Sequence, residues 1–335
     1  MNTLLATAAA LFAALPLEGG GDRVVVHRRV NTMGTALWLE LEVQERTEGL
    51  RASEEAIRSV VAAERRLSTW ITESELARFL ASPAGERVEL TPLLAEELRT
   101  AARICEETSG AFDPSVGALT QAWGLRNGGR TPSDDERTAA LKACGASLWR
   151  VEHNHALRKH PLLVIEEGGF GKGAALDQAI EALERERVSD ASLNLGGQLA
   201  FVGAKTRTVP IADPEERRAA LLEIEVRGGS VATSGTTERG SHIIDPRSGL
   251  PAEDFGSVTV WAESALVADA LATGLFVLGP EEGLAVAEQM SGVEAVFIKK
   301  SKSGRKVITT SGLRKRTRSL NRGVTGKLSV SLSGK

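Results

Sequence analysis

The sequence predicts a single α/β body, in an α+β arrangement. Three observations predict it. Alternating apolar and polar residues mark strands, 3.6-residue periodicity marks helices, and the two patterns trade places along the second half of the chain. Residues 24–30 are apolar-rich and read as a strand. Residues 36–43 alternate, with Leu37, Leu39, Leu41 and Val43 on one face and Glu40 and Glu42 on the other. Residues 51–67 read as a helix with Ile57, Val60, Val61 and Leu67 on one side. Thr91-Pro92 is a helix start, a capping hydroxyl followed by proline at the first position. Leu94, Leu98, Ala101, Ala102 and Cys105 form its apolar stripe, and Gly110 falls just past its end. Further on, strands are predicted at 162–165, 191–195, 222–226, 257–261 and 294–299, and helices at 172–183, 264–278 and 280–290. No internal repeat and no proline-rich linker interrupts this body, which runs from about residue 22 to 310.

The chain has 335 residues, 42% hydrophobic and 25% charged. That usage is ordinary for a globular protein and excludes collagen-like, coiled-coil and wholly disordered classes. Two cysteines exclude a disulfide framework and a Cys-rich zinc or iron–sulfur site. Five histidines leave little for a multi-His metal centre, and the absence of tyrosine excludes tyrosine chemistry. Cys105, inside a helical stripe, reads as a small core residue. His153, His155 and His160 lack the spacing of a helical metal pair and read as surface residues.

The net charge of −3 conceals an asymmetry. From Lys299 onward there are 12 Lys and Arg and no acid, which leaves 29 positive against 44 negative charges elsewhere, a net of −15. An acidic body disfavours nucleic acid as a partner. Residues 311–335 are basic and rich in Ser and Gly, and are expected to be a disordered tail. Residues 1–21 open with an uncharged apolar run, short for a membrane span. The run fits a signal-peptide core, with a buried N-terminal helix as the other reading. Export to the periplasm, or attachment to the inner membrane facing it, is the expectation. No cysteine is present there to carry a lipid.

Three segments carry chemistry. Gly168-Gly169-Phe170-Gly171-Lys172-Gly173 joins a strand to a helix, where backbone N–H groups suit phosphate. It matches neither the Walker A loop nor the Rossmann fingerprint, because Glu166 stands at the first Walker glycine and Gly173 where Ser or Thr belongs. Asp269 and Thr273 lie at i and i+4 of an otherwise apolar helix. They are hard-oxygen ligands for Mg²⁺, a solvated polar face, or a polar pair bonded within the helix. Ser241-His242-Ile243-Ile244-Asp245-Pro246-Arg247-Ser248-Gly249 is turn chemistry around a histidine that is either structural or catalytic.

In order along the chain, these pieces resemble the ApbE family of FAD:protein FMN transferases. The resemblance rests on Met33-Gly34-Thr35, Leu67-Ser68-Thr69-Trp70, Ser109-Gly110-Ala111-Phe112-Asp113-Pro114, the 168–173 glycine turn with Asp177, Asn194-Leu195-Gly196-Gly197, Ala232-Thr233-Ser234-Gly235, the 242–249 stretch, and 268–279. It implies a body related to the T-fold, with mixed sheets and packed helices. It implies flavin contacts at Met33, Trp70, Ala111, Phe112 and Asp113, and FAD contacts at Glu166, Lys172 and Ile243. Mg²⁺ would be held by Gly169, Asp269 and Thr273. The implied reaction transfers FMN from FAD to a Thr or Ser hydroxyl of an acceptor protein, typically a membrane redox protein, and releases AMP. His242 is the candidate base. FAD storage without transfer, and hydrolysis of FAD to FMN and AMP, would use the same pocket. The chain departs from the family pattern at Glu166, where Asp is usual, at Gln198 after the double glycine, and at Pro210.

Overall fold

The structure is a computed structural model that describes residues 23–216, 218–235, 243–301 and 304–320. The leader-like segment 1–21 and the candidate base His242 lie outside the described residues.

The chain opens with an antiparallel hairpin, β1 (Val24–Thr32) and β2 (Thr35–Val43). Two helices follow, α1 (Arg46–Leu67) and α2 (Glu75–Ala81). A strand β3 (Arg87–Glu89) and the long helix α3 (Pro92–Glu107) come next, then α4 (Gly117–Ala122) and α5 (Asp134–Lys142). A small three-stranded sheet forms from β3, β4 (Trp149–Glu152) and β5 (His155–Arg158). Helix α6 (Gly171–Arg185) leads into β6 (Asp190–Leu195), β7 (Gln198–Ala212) and β8 (Ala220–Gly235). The hairpin β9 (Ile244–Asp245) and β10 (Leu250–Pro251) precedes β11 (Gly256–Ala262). Helix α7 (Ala265–Gln289) and strands β12 (Val293–Ser301), β13 (Gly304–Thr309) and β14 (Thr317–Ser319) complete the fold.

The main sheet is nine-stranded, in the order β1-β2-β6-β7-β8-β11-β12-β13, with β14 added to the N-terminal half of β8. Its paired strands run antiparallel. The alternation of β2 does what its sequence predicts. Leu37, Leu39, Leu41 and Val43 are buried against Ala52, Ala56, Val60 and Ala63 of α1 and Leu176 and Leu183 of α6. A second cluster joins α3 to α7 through Leu94, Leu98, Ile104, Leu271 and Leu275. The cap at Thr91 is present, its hydroxyl accepting from Leu94 N at 3.3 Å. Cys105 is buried, and that burial pushes its thiol well above the ordinary value.

Helix α7 is the central element. The two helices predicted at 264–278 and 280–290 form one run, interrupted at Gly279 (φ 78°, ψ 176°) just before Pro280. Proline cannot supply the N–H that would continue the ladder, so the break falls where the sequence places it. By length and composition α7 resembles a membrane span, but 56% of its most apolar window is buried inside the protein, which makes it a core helix.

Two expectations fail. Residues 162–165 do not form a strand; Val164 makes only an isolated parallel bridge to Val116. The disordered tail does not begin at residue 311. Residues 311–320 are folded, with Leu313 buried in a cluster with Ile224, Val226, Val296 and Ile298, and with β14 paired to β8. Their basic residues find acids on the body: Arg316 pairs with Glu294 at 3.4 Å and Arg318 with Glu223 at 2.5 Å. Composition signalled solvation, but one buried leucine and a strand pairing outweigh it.

Candidate active site

The glycine turn and α7 meet closely. A Cβ on Gly173 would lie 2.2 Å from the Ala265 carbonyl oxygen, so only glycine lets the start of α6 touch the start of α7. Asp177, one turn further along α6, fixes the meeting. Its carboxylate accepts from Ser264 Oγ at 2.7 Å, Ala265 N at 2.6 Å and Leu266 N at 3.0 Å. These are the unpaired N–H groups of a helix N-terminus, satisfied by a carboxylate from a neighbouring helix. Burial raises the Asp177 carboxyl pKa, and the three donors oppose that rise. Gln198 holds the same end, donating to Ala265 O at 2.8 Å.

This docking presents Asp269 of α7 to Lys172 of α6. Asp269 is buried; Lys172 Nζ stands 3.0 Å from Oδ1 and 3.2 Å from Oδ2, and Gly173 N donates to Oδ2 at 3.2 Å. Thr273 lies one turn on, its hydroxyl making a long 3.4 Å bond to the Asp269 carbonyl. Gly169 stands directly opposite, with the Cβ direction of its backbone ending 3.6 Å from Thr273 Oγ1 and 3.2 Å from the Phe112 ring. Gly169 thus lies beside Thr273, one helical turn along α7 from Asp269. The donor set fits the ion: one carboxylate, one hydroxyl and the backbone at Gly169 are hard oxygens, and the Lys172 ammonium already sits on the carboxylate as a cation would. Among the described residues, no cluster of three or more His, Cys, Asp or Glu side chains offers another metal centre.

Of the residues expected to touch flavin, Met33 and Phe112 lie against the glycine turn. Met33, at the tip of the β1–β2 turn with φ 50°, brings its methyl within 3.9 Å of the Cβ direction of Gly171. Phe112 is wedged between Gly169 and Gly274; a Cβ on Gly274 would meet the Phe112 Cβ at 2.8 Å. Ala111 beside it is buried. Asp113 is buried and turns away into its own loop, accepting from Ser115 N at 2.8 Å and Ser115 Oγ at 2.6 Å. Burial raises its carboxyl pKa. It borders a cavity of about 310 Å³ that Cys105, Ser109, Gly110, Pro246 and Arg247 also line. Ile243, next in sequence to His242, is buried with its carbonyl bonded to Ala252 N at 2.9 Å. Trp70 is 67% exposed, and Glu166 bonds the arginine that covers its ring.

The sequence reading missed Arg126. It sits in a three-residue 3₁₀ turn, Leu125–Asn127, between Gly124 and Gly128, both left-handed. Arg126 donates to Glu166 Oε2 at 2.6 Å and to the Thr69 hydroxyl, and its guanidinium covers the Trp70 ring at 4.4 Å. Thr69 is tied in turn to Glu167, through N–H at 3.1 Å and Oγ1 at 2.7 Å. Burial raises the Glu166 pKa, and Arg126 opposes the rise. No periodicity or motif marks Arg126, because its neighbours are a polar turn.

Comparison with known proteins identifies the family to which this fold belongs. The model of the ApbE family matches residues 33–297, and the chain belongs to that family. It is 31% identical to the FAD:protein FMN transferase of Vibrio cholerae over 265 residues, which cover 74% of this chain and 79% of that protein. It is 33% identical to the Escherichia coli protein of the same name over 249 residues, 66% of this chain and 71% of that one. Among solved structures, the flavin transferase ApbE from Vibrio cholerae superposes with a TM-score of 0.79 at 27% identity, covering 88% of this chain and 99% of that one. The apo form of the Pseudomonas stutzeri flavinyl transferase ApbE gives 0.76 at 26% identity, covering 88% and 97%.

Proposed function

We propose that this protein is a flavin transferase that moves FMN from FAD to a Ser or Thr hydroxyl of an acceptor protein and releases AMP, with Mg²⁺ held by Asp269, Thr273 and the Gly169 carbonyl. The observation that supports the reading is the packing of α6 on α7, which brings Lys172 onto Asp269, while Gly169 of the glycine-rich turn lies beside Thr273.

In this reading the acceptor oxygen attacks the phosphorus of the FMN half. The new P–O bond forms as the anhydride P–O bond breaks and AMP leaves with the bridging oxygen. His242 takes the hydroxyl proton, since an imidazole titrates near working pH. Lys172 and the N–H groups at the start of α6 offset phosphate charge. The metal, when bound, supplies Lewis-acid stabilisation of the charge that builds on the phosphate oxygens. Gly173 and Asp177 hold the two helices at the separation these roles need.

The 1–21 segment supports an exported enzyme, and a membrane redox protein as acceptor suits that compartment. The test is to incubate the purified protein with FAD, Mg²⁺ and a Ser/Thr-bearing acceptor domain. Covalent flavin fluorescence on the denatured acceptor and one AMP per label are expected. AMP without label would replace this reading with FAD hydrolysis, and bound FAD without AMP would replace it with storage.

A further inference from the structure

We propose that Arg126 is a positioning residue that holds the Trp70 indole as a platform for a planar ring of the substrate. The proposal rests on the reading of this site as an FAD site. Trp70 is the most exposed large apolar side chain among the described residues, at 67%. One face of its ring is covered by the Arg126 guanidinium at 4.4 Å, so its exposure lies on the remainder of the ring. A guanidinium held flat on an indole fixes the ring's tilt through the attraction of the cation to the π face. Here the guanidinium is itself fixed at its other edge by Glu166 and Thr69, and Thr69 by Glu167. Three separate segments, 68–70, 125–127 and 166–167, thereby fasten one exposed ring.

A further observation points to a ligand. Glu166 Oε1 is buried with no hydrogen-bond partner among the described residues, although Oε2 is bonded to Arg126. A buried acceptor left open beside a stacking surface suits the edge N–H or amino group of a heteroaromatic ring. Arg126 also offsets the charge of Glu166, which would otherwise repel a diphosphate. The turn that carries Arg126 is short, and Trp123 beside it anchors it to the β9–β10 hairpin by Nε1 donating to Gly249 O at 2.9 Å. The side chain is thus placed by backbone and not by the ligand.

Titration of the full chain with FAD, followed by quenching of flavin emission, tests this in wild type, Arg126→Ala, Arg126→Lys, Trp70→Ala and the double variant Arg126→Ala/Trp70→Ala. The Kd of Arg126→Ala should rise about fivefold, the scale of one exposed cation–ring contact. Arg126→Lys, which keeps the charge but not the flat fork, should fall between. On the Trp70→Ala background the same Arg126 replacement should cost less than half as many fold. Turnover at saturating FAD should change by less than about threefold while KM carries the loss. Equal cost with and without Trp70, an unchanged Kd, or a loss confined to kcat would overturn the assignment. If Arg126→Ala fails to fold, the Arg126→Lys and Arg126→Gln series on both backgrounds decides it. Failure of wild type itself to bind FAD would overturn the site reading; wild-type binding with an indifferent Arg126 would overturn only this proposal.

Discussion

At the scale of single residues, the Asp269 carboxylate is the pivot. It is buried, and its charge is balanced by Lys172 and by one backbone N–H. A buried carboxylate survives only with such partners. Under the proposed metal site, Lys172 would compete with a divalent cation for the same oxygens. Lys172→Met should tighten Mn²⁺ binding in the absence of FAD by about tenfold, since a charge-assisted hydrogen bond is worth about 1.5–3 kcal/mol. The same variant should bind FAD more weakly, having lost a positive charge. Calorimetry or Mn²⁺ paramagnetic resonance reads the first effect; weaker metal binding in the variant would count against the competition. Asp269→Asn keeps the shape and removes the charge. It should abolish Mn²⁺ binding and flavin transfer while leaving the melting temperature within a few degrees.

At the scale of elements, the contact between α6 and α7 governs the site. Gly173→Ala would push a methyl into the Ala265 carbonyl. Overpacking of this kind costs about 1–3 kcal/mol, and here it also moves Lys172 away from Asp269. Lower thermal stability is expected by calorimetry, and an unchanged melting temperature would show that the two helices part without cost. Helix α5 offers a cleaner test of linkage. Ser133 and Glu136 form a reciprocal capping box, and Arg130 grips Glu136 at 2.9 Å through both nitrogens. These partners hold the Glu136 carboxyl down at about 2. A lowered carboxyl contributes stability above its unfolded value of 4.5 and loses it as pH falls toward 2. The gap in melting temperature between wild type and Glu136→Gln should therefore narrow between pH 5 and 2. Added salt should narrow it too, because the pair is exposed. A gap independent of pH would refute the assignment.

At the scale of the molecule, the C-terminal segment belongs to the body. Ending the chain at residue 310 strips β14 from β8 and exposes the surface that Leu313 covers. Burial of one leucine contributes about 1.5–3 kcal/mol, so the truncated chain should melt several degrees lower. Differential scanning calorimetry checks this; an unchanged transition would show that the third cluster closes without residues 311–320. The site lies far along the chain from this segment. Any loss of flavin transfer on truncation should therefore follow the loss of folded protein and not precede it.

Much of the fold was legible because local patterns report burial directly. The alternation of Leu37, Leu39 and Leu41 names the buried face of β2, and Thr91-Pro92 names the start of α3. Gly279-Pro280 names the break in α7. Asp269 and Thr273 were visible for the same reason: a carboxylate and a hydroxyl one turn apart are conspicuous on an apolar helix. These are statements about neighbours in sequence, and sequence carries them. Contacts between distant segments are different. The sequence determined that α7 bears two oxygen donors; only the tertiary structure decided that Gly173 lets α6 approach it and that Lys172 occupies the carboxylate. Arg126 has no pattern of its own, and its meaning depends on three loops converging on one indole. Residues 314–318 look solvated by composition, yet they fold because Leu313 beside them is buried and β14 pairs with β8. Periodicity encodes which side of an element is dry, whereas the partner that element meets is set by chain topology and close packing across the whole body.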